Sequence, residues 1–542
     1  MNIPYSGPRR HRSGTAQAVR YYNEESPQNT GRLALLGCQR QSRIVISRVK
    51  AMNRLKLSEP LITASVFIFM LSCGVSPSRS HGEEVYRAQG EMTGEVTSNS
   101  AIVQTRLTAV DRNVDGNVPG AVGVARFEYA TDREFQSSQM TPWQSSRPET
   151  DYIIKAVLKG LRPSTRYYYR VHYGPSREET HIGPVCTFRT LQGAGGTDAV
   201  SVAVVTGMMY GYFHGLDREE KGPREDRAAG YPALATMLGM DLDFFVGTGD
   251  NVYYDTRLRE AFAKTLPQLR QKWHEQFVQS RFVELFRKVP TYWEKDDHDH
   301  RYNDCDCAGD RLPSSDLGIA TFREQVPIVD PADPQAKTYR TYRVNRDLQI
   351  WLVEGRDYRS PNRMPDSPEK TLWGADQLAW LKRTLLASDA TFKLLISPTP
   401  LVGPDDAYKI DNHTNHKGFR HEGREFFKWI VEHRLHEQGF YTVCGDRHWQ
   451  YHSRDPLGVE EFSCGALVDE NSRLGRKPGD PKSTDPQAEV KQFYTQSEAS
   501  GGFLRITVGT GKVPGTGSAR FTFLDDLGKV LYETEKVRPV GK

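Results

Sequence analysis

Residues 245–255, FVGTGDNVYYD, begin as an apolar run and stop abruptly on glycine, aspartate, asparagine and two tyrosines. The apolar part, LDFFVG (242–247), has the length and the β-branched and aromatic content of a strand buried on both faces, and it follows the helix-like YPALATMLGM (231–240). That order is half of a parallel α/β unit. Ligands in such sheets bind beyond the carboxyl ends of the strands, which makes Asp250 and Tyr253 candidate site residues. Gly-Asp and Asp-Asn are also ordinary turn formers, so the stretch alone does not separate a turn from a site.

The same pattern recurs along the second half of the chain. AVSVAVVTG (199–207), LQIWLVEGRD (348–357), FKLLISPTP (392–400) and FYTVCGDRHW (440–449) are buried-strand runs ending in polar or turn residues. Between them, residues 266–288, 374–388 and 423–438 carry apolar side chains at helical spacing. Strands alternating with helices predict a largely parallel α/β domain over 201–542, closed by a terminal hairpin within 501–537.

The part before it reads differently. SAIVQTRLT (100–108), GVARFEYATD (123–132), YIIKAVLKGL (152–161), RYYYRVHYG (166–174) and VCTFRTL (185–191) are short strands between turn-rich pieces, which predicts a β-sandwich over 84–191. LKGLRPST ahead of the aromatic strand fits a tyrosine corner, and residues 192–200 form a Gly-rich linker.

A chain of 542 residues exceeds one core and implies two domains with extensions. With 72 basic and 68 acidic residues its charge is nearly balanced, which argues against nucleic acid as a specific partner. Residues 1–83 stand apart as a leader. Residues 1–51 are polar and Arg-rich without periodicity. Residues 52–74, MNRLKLSEPLITASVFIFMLSCG, have a basic start (Arg54, Lys56), an apolar run from Leu61 to Leu71 and small residues after it, as a secretory signal has. The run is shorter than the roughly 20 residues of a membrane span. Export is the expectation, with Met52 as an alternative start. Because LSC at Cys73 resembles a lipoprotein box, periplasmic, extracellular and membrane-anchored products stay open, as does contact with a membrane or cell wall through the leader. The seven cysteines suggest no even framework; Cys305 and Cys307 are too close to make a zinc site alone, and Cys444 with Cys464 is an open pairing.

The strand ends decide the chemistry. They carry TGMMYGY (206–212), GDNVYYD (249–255), the region YWEKDDHDHRYND (292–304) and CGDRHW (444–449). Three of the four bring carboxylates, imidazoles or phenols, the donors preferred by hard or borderline cations. A shared metal centre explains all three at once.

GDNVYY, EKDDHD followed by Asn303, EGRDYR and GDRHW, in that order, resemble the alkaline phosphatase D (PhoD-like) family of calcineurin-like metallophosphatases, over most of residues 84–542. The resemblance implies an α/β fold, a calcineurin-like metallophosphatase α/β sandwich preceded by an all-β Ig/fibronectin type III-like domain. It implies a metal-dependent phosphoric ester hydrolase, mono- or diesterase, that uses a metal-activated hydroxide on small phosphate esters or diesters. Its cofactors would be Fe(III) and Ca(II), with another divalent pair as the alternative. By the match, Asp250 bridges the ions and Tyr253 binds iron as tyrosinate, Asp297 lies in the Asp-Asp-His-acid segment, Asn303 and Asp446 serve calcium, and His448 serves iron. One departure stands out: the family's first strand ends in a cysteine ligand to iron, whereas this chain has Thr206, Gly207, Met208 and Met209, none a strong iron ligand. That departure motivates a second reading, a non-catalytic extracellular binding module on a degenerate phosphatase domain.

From the chemistry of such sites, His298 is the candidate acid for the leaving group and Arg356 a candidate phosphate clamp or, equally, a salt-bridge residue. The loop 411–423 with His413, His416 and His421 is a further candidate lining. Trp293 and Trp449 are candidate pocket walls, and Met208 and Met209 read as core or wall.

Overall fold

The computed structural model describes residues 84–216, 227–256 and 262–540. The leader at 1–83, with its signal and lipoprotein features, lies outside them. At the centre of the first large sheet the strands Val200–Val205, Phe244–Thr248 and Thr291–Glu294 run parallel. The second is built on the parallel strands Leu348–Leu352, Phe392–Ser397, Phe440–Cys444 and Glu460–Cys464.

Alternation along these strands explains the stacking. Val202, Val204 and Val246 of the first sheet share one core with Ile350, Leu352, Leu394, Ile396 and Val443 of the second. Their neighbours in sequence point the other way: Ala203, Val205 and Phe245 pack under the helices Pro232–Leu238, Leu266–Phe277 and Ser280–Phe286, and Trp351 and Leu395 under Ala375–Leu386 and Arg420–Glu432. The result is a helix–sheet–sheet–helix sandwich, in which strands covered on both faces must be apolar throughout. Helix starts follow local chemistry. Pro267 sits in the first turn of Leu266–Phe277 and Gln268 reaches back to the Thr265 N–H at 3.1 Å, while the Ser314 hydroxyl accepts from the Leu317 N–H at 3.3 Å.

The N-terminal strands form the expected β-sandwich, but one of its layers is not its own. Glu91–Gly94 pairs in parallel with Thr291–Glu294, so Glu91–Gly94, Ser100–Arg106 and Ile153–Lys159 extend the first large sheet, and the other layer is built on Val124–Ala130 and Arg166–Gly174. The tyrosine corner is Tyr167, whose hydroxyl accepts from the Arg162 N–H at 2.9 Å. The segment read as a linker is tied down, since Gln192 and Gly193 both donate to the Val344 carbonyl and Arg346 donates to Gly196. At the other end of the chain the expected hairpin is three antiparallel strands, Gly502–Thr510, Thr516–Asp525 and Val530–Pro539, and the first of them pairs with Val200–Val205. Among the described residues no helix is long and apolar enough to cross a membrane.

Candidate metal centre

Strands from both sheets end at one place, and two glycines make the approach possible. A Cβ on Gly249 would stand 2.4 Å from Asp296 Cβ, and one on Gly445 would stand 2.3 Å from the Thr248 carbonyl oxygen. The loops after Phe244–Thr248, Thr291–Glu294 and Phe440–Cys444 therefore touch backbone to backbone. The residue after each glycine, Asp250 (φ +54°) or Asp446 (φ +57°), is left-handed, a conformation that short polar side chains tolerate best and that turns each carboxylate sharply off its strand.

Three donors meet in the first group. The Tyr253 hydroxyl lies 2.9 Å from Asp250 Oδ2, His448 Nε2 lies 3.2 Å from the same oxygen, and hydroxyl and imidazole are 3.3 Å apart. Cis ligands of one cation with bonds of about 2.1 Å are spaced by roughly 3 Å, so the triangle fits an ion. Asp250 Oδ1 is buried without a partner. Burial, reinforced by Asp297 and Asp446, pushes the Asp250 carboxyl up to about 8, and burial with Asp250 beside it drives the Tyr253 phenol well above its ordinary value. Burial and Arg473 lower His448 to about 3. A cation bound by these donors would displace protons from them, because such ligands bind in their deprotonated forms. Asn471 donates to the Tyr253 oxygen at 2.8 Å and holds it in place.

The second group shares a wall with the first. One oxygen of Asp297 lies within 4.8 Å of ligand atoms of Asp250 and His298, and Asp297 also clusters with Asp304 and Asp411. Both oxygens of Asp411 are buried without a hydrogen bond, although Arg356 Nη2 stands 3.6 Å from one of them. Asp446 is held by Arg447, which also pairs with Asp405. Lys409 projects into this group, its Nζ 2.6 Å from Asp304 Oδ1 and 3.8 Å from Asp446 Oδ1. His298 stands over both groups, with its ring against Tyr253 (centroids 4.3 Å apart) and its Nδ1 bonded to Asp255 Oδ1 at 2.7 Å, so Nε2 is left for the cleft. Burial disfavours its imidazolium, but Asp255, Asp297 and Asp250 outweigh this and hold His298 well above the usual range.

The PhoD-like phosphatase model matches residues 222–514, and the model of the PhoD-like phosphatase N-terminal domain matches 74–192. The chain belongs to the PhoD-like phosphatase family. Among solved structures it resembles PhoD, at 18% identity over 86% of this chain and 92% of that one with a TM-score of 0.65. It also resembles the purple acid phosphatase PPD1 from seeds of yellow lupin (Lupinus luteus), at 11% identity over 82% of this chain and 73% of that one with a TM-score of 0.53. At these identities the likeness carries the fold. No curated protein sequence matches.

Within this PhoD-like frame the structure brings Asp250, Tyr253, Asp297, His298, Asp446 and His448 together and withdraws others. Of its two readings, Arg356 takes the salt bridge. It is fully buried, its guanidinium bonds Asp296 and the Cys305 carbonyl, and no face of it meets solvent. Asn303 is exposed, its backbone N–H donating to Asp255, and the left-handed turn at Asp304 (φ +53°) brings that next carboxylate to the cluster of Asp297 and Asp411. The histidines of the 411–423 loop stay out as well: His413 pairs with Glu422 under Trp373, His416 lies against Arg420, and the His421 N–H is capped by Asp366. That loop contributes Asp411. Asp299, the last acid of the 296–299 segment, braces the loops through Asn251 and the Asp296 N–H. At the first strand end Met208 is core and the Thr206 hydroxyl donates to the Gly249 carbonyl. Trp293 is also core. Trp449 is fully buried, with Arg473 stacked on it at 4.5 Å. Cys444 and Cys464 are free, because Cys444 stands opposite Ser463 and the next residue, Cys464, faces the other side of the sheet. Sequence reading missed Asp255, Asp304, Lys409, Asp411 and Asn471. Asp255 and Asp304 adjoin recognised motifs and were within reach; Lys409 and Asn471 lie in loops with no such signal.

Proposed function

We propose that the chain is an exported, metal-dependent hydrolase of phosphate esters or diesters, with iron as the cation of the first group. The observation that carries the reading is the triangle of Asp250, Tyr253 and His448, with one orphaned carboxylate oxygen and Asp297 shared with the acidic group beside it. Family membership supports the chemistry, and the signal-like residues 52–74 support export and any association with a membrane or cell wall. The Ca(II) of the expected pair is left out of the proposal, because Lys409 stands among the carboxylates that would hold it.

A Lewis-acidic cation held by these donors supplies, when bound, polarisation of a phosphoryl oxygen and a lowered pKa for water. The chain's own residues do the rest. Asp250 and Tyr253 bring anionic oxygen to one point, and Asn471 fixes the phenol oxygen so that its position costs no reorganisation. His298, with Nδ1 anchored on Asp255, presents Nε2–H to the leaving-group oxygen and delivers the proton as the ester bond breaks. Asp297 accepts from the backbone N–H groups of His298 and Asp304, which aim it between the two groups, and although burial opposes it the charges of His298, Arg356 and Lys409 hold its carboxyl well below the usual range.

The test is metal analysis of the purified chain together with hydrolysis of nitrophenyl phosphate and bis(nitrophenyl) phosphate, before and after chelation. Bound metal and chelator-sensitive turnover support the enzyme, and the faster substrate separates monoesterase from diesterase. A metal-free protein without turnover would leave the binding-module reading, which the ligand-free first strand end favours.

A further inference from the structure

The two groups at the strand ends differ in one respect that bears on how many ions the site takes. Among the described residues no lysine or arginine pairs with Asp250, whereas the second group already contains a side-chain cation. Lys409 is 8% exposed, and its ammonium lies between Asp304 and Asp446. The loop that presents it is rigidly built. The Lys409 N–H donates to the Asp406 carbonyl, Asn412 and Asn415 both donate to Asp405 Oδ2, Asp405 is clamped by Arg447, and Asp406 is held by Arg473 and Arg476. The backbone that carries Lys409 is therefore well anchored, and its ammonium is tied to Asp304. Lysine is also a compact point charge that binds phosphate oxygens without demanding a planar partner.

We propose that Lys409 takes the place of a second ion: the centre holds one resident cation, on Asp250, Tyr253 and His448, and the Lys409 ammonium provides the second positive charge across Asp297. The inference rests on the metal-dependent hydrolase reading. A phosphoryl group bound between the two would meet the cation on one side and N–H donors on the other. An ammonium stabilises developing charge on a phosphoryl oxygen but does not generate a nucleophile, so the attacking water belongs to the first group alone. A dication entering the second group would have to break the Lys409–Asp304 pair and then sit beside a like charge, and it is excluded while Lys409 is present.

The experiment is ion stoichiometry by elemental analysis and calorimetry, on the full chain saturated with iron and then titrated with calcium, manganese or zinc. Wild type is expected to hold one ion per chain, with no second binding event below millimolar concentration. Lys409→Met should gain a second ion, and adding Asp304→Asn to that variant should abolish the gain. Lys409→Gln is the parallel variant should the methionine fail to fold, judged by near-ultraviolet circular dichroism. Without added calcium the Lys409 variants should lose at least tenfold in kcat/KM. Two ions in wild type, or one ion in both folded Lys409 variants, overturns the inference and leaves the hydrolase reading intact. A wild type that binds no ion overturns both.

Discussion

Asp255→Asn is the change that most directly tests how the site moves a proton. Asp255 receives two contacts, from His298 Nδ1 at 2.7 Å and from the Asn303 N–H at 2.8 Å, and both need an acceptor. An asparagine keeps the shape but offers only one acceptor oxygen. If that oxygen faces Asn303, its amide N–H must donate to Nδ1, which fixes a neutral ring; if it faces His298, two N–H groups confront each other. Either way the imidazolium loses an ionic partner, in a pair whose side chains are only 14% exposed. Hydrogen bonds to charged groups are worth about 1.5–3 kcal/mol, and each 1.36 kcal/mol is tenfold in rate, so the loss should be roughly 10- to 150-fold. It should fall on alkyl phosphates, whose leaving groups need the proton, and spare nitrophenyl phosphate, which leaves unaided. The pH profile gives the sign independently. Three carboxylates raise His298, the acid form is the active one, and activity is lost as pH rises through its pKa; without the Asp255 charge that limb moves to lower pH. Steady-state kinetics on both substrates, with metal content measured on the same samples, decides it. Equal loss on both with metal retained would mean that His298 positions the phosphoryl group and that the proton comes from elsewhere.

Tyr253→Phe should weaken iron binding at least tenfold and remove any visible charge-transfer band, while the ring stays packed on His298 and the thermal midpoint moves little; spectra and metal titration read both. Arg356→Met should act on stability, because it leaves Asp296 as an uncompensated buried charge at a cost of about 3–5 kcal/mol; urea unfolding measures this, and a raised KM at unchanged stability would return Arg356 to the substrate. Glu460 is salt-bridged to Lys536 at 2.6 Å and to His452 at 2.7 Å, and although burial opposes it, these partners hold its carboxyl at about 2. A depressed carboxylate stabilises the fold above its unfolded pKa and is lost on acidification, so stability should fall between about pH 4.5 and 2, by roughly 2 kcal/mol once partial exposure is allowed for. Glu460→Gln should flatten urea midpoints over that window.

Sequence alone determined the layers and where the chemistry stands. A strand covered on both faces must be apolar at every position, so AVSVAVVTG and LDFFVG announce themselves, and the polar residues that end them mark the carboxyl edge. The tyrosine corner was legible for the same reason, because local spacing sets it. Which acids enter the site was not local information. Asp304 comes to Asp297 and Asp411 through a left-handed turn, and Arg356 turns away from the cleft because Asp296, sixty residues away in the chain, lies buried beside it and needs a counter-charge. Asp411, Lys409 and Asn471 arrive on loops whose position depends on how the two sheets stack. The 411–423 loop was legible as a candidate lining through its histidines, but nothing local singles out Asp411, Lys409 or Asn471, since the contacts that place them, such as Asn471 on Tyr253 across 218 residues, exist only once the sheets have met.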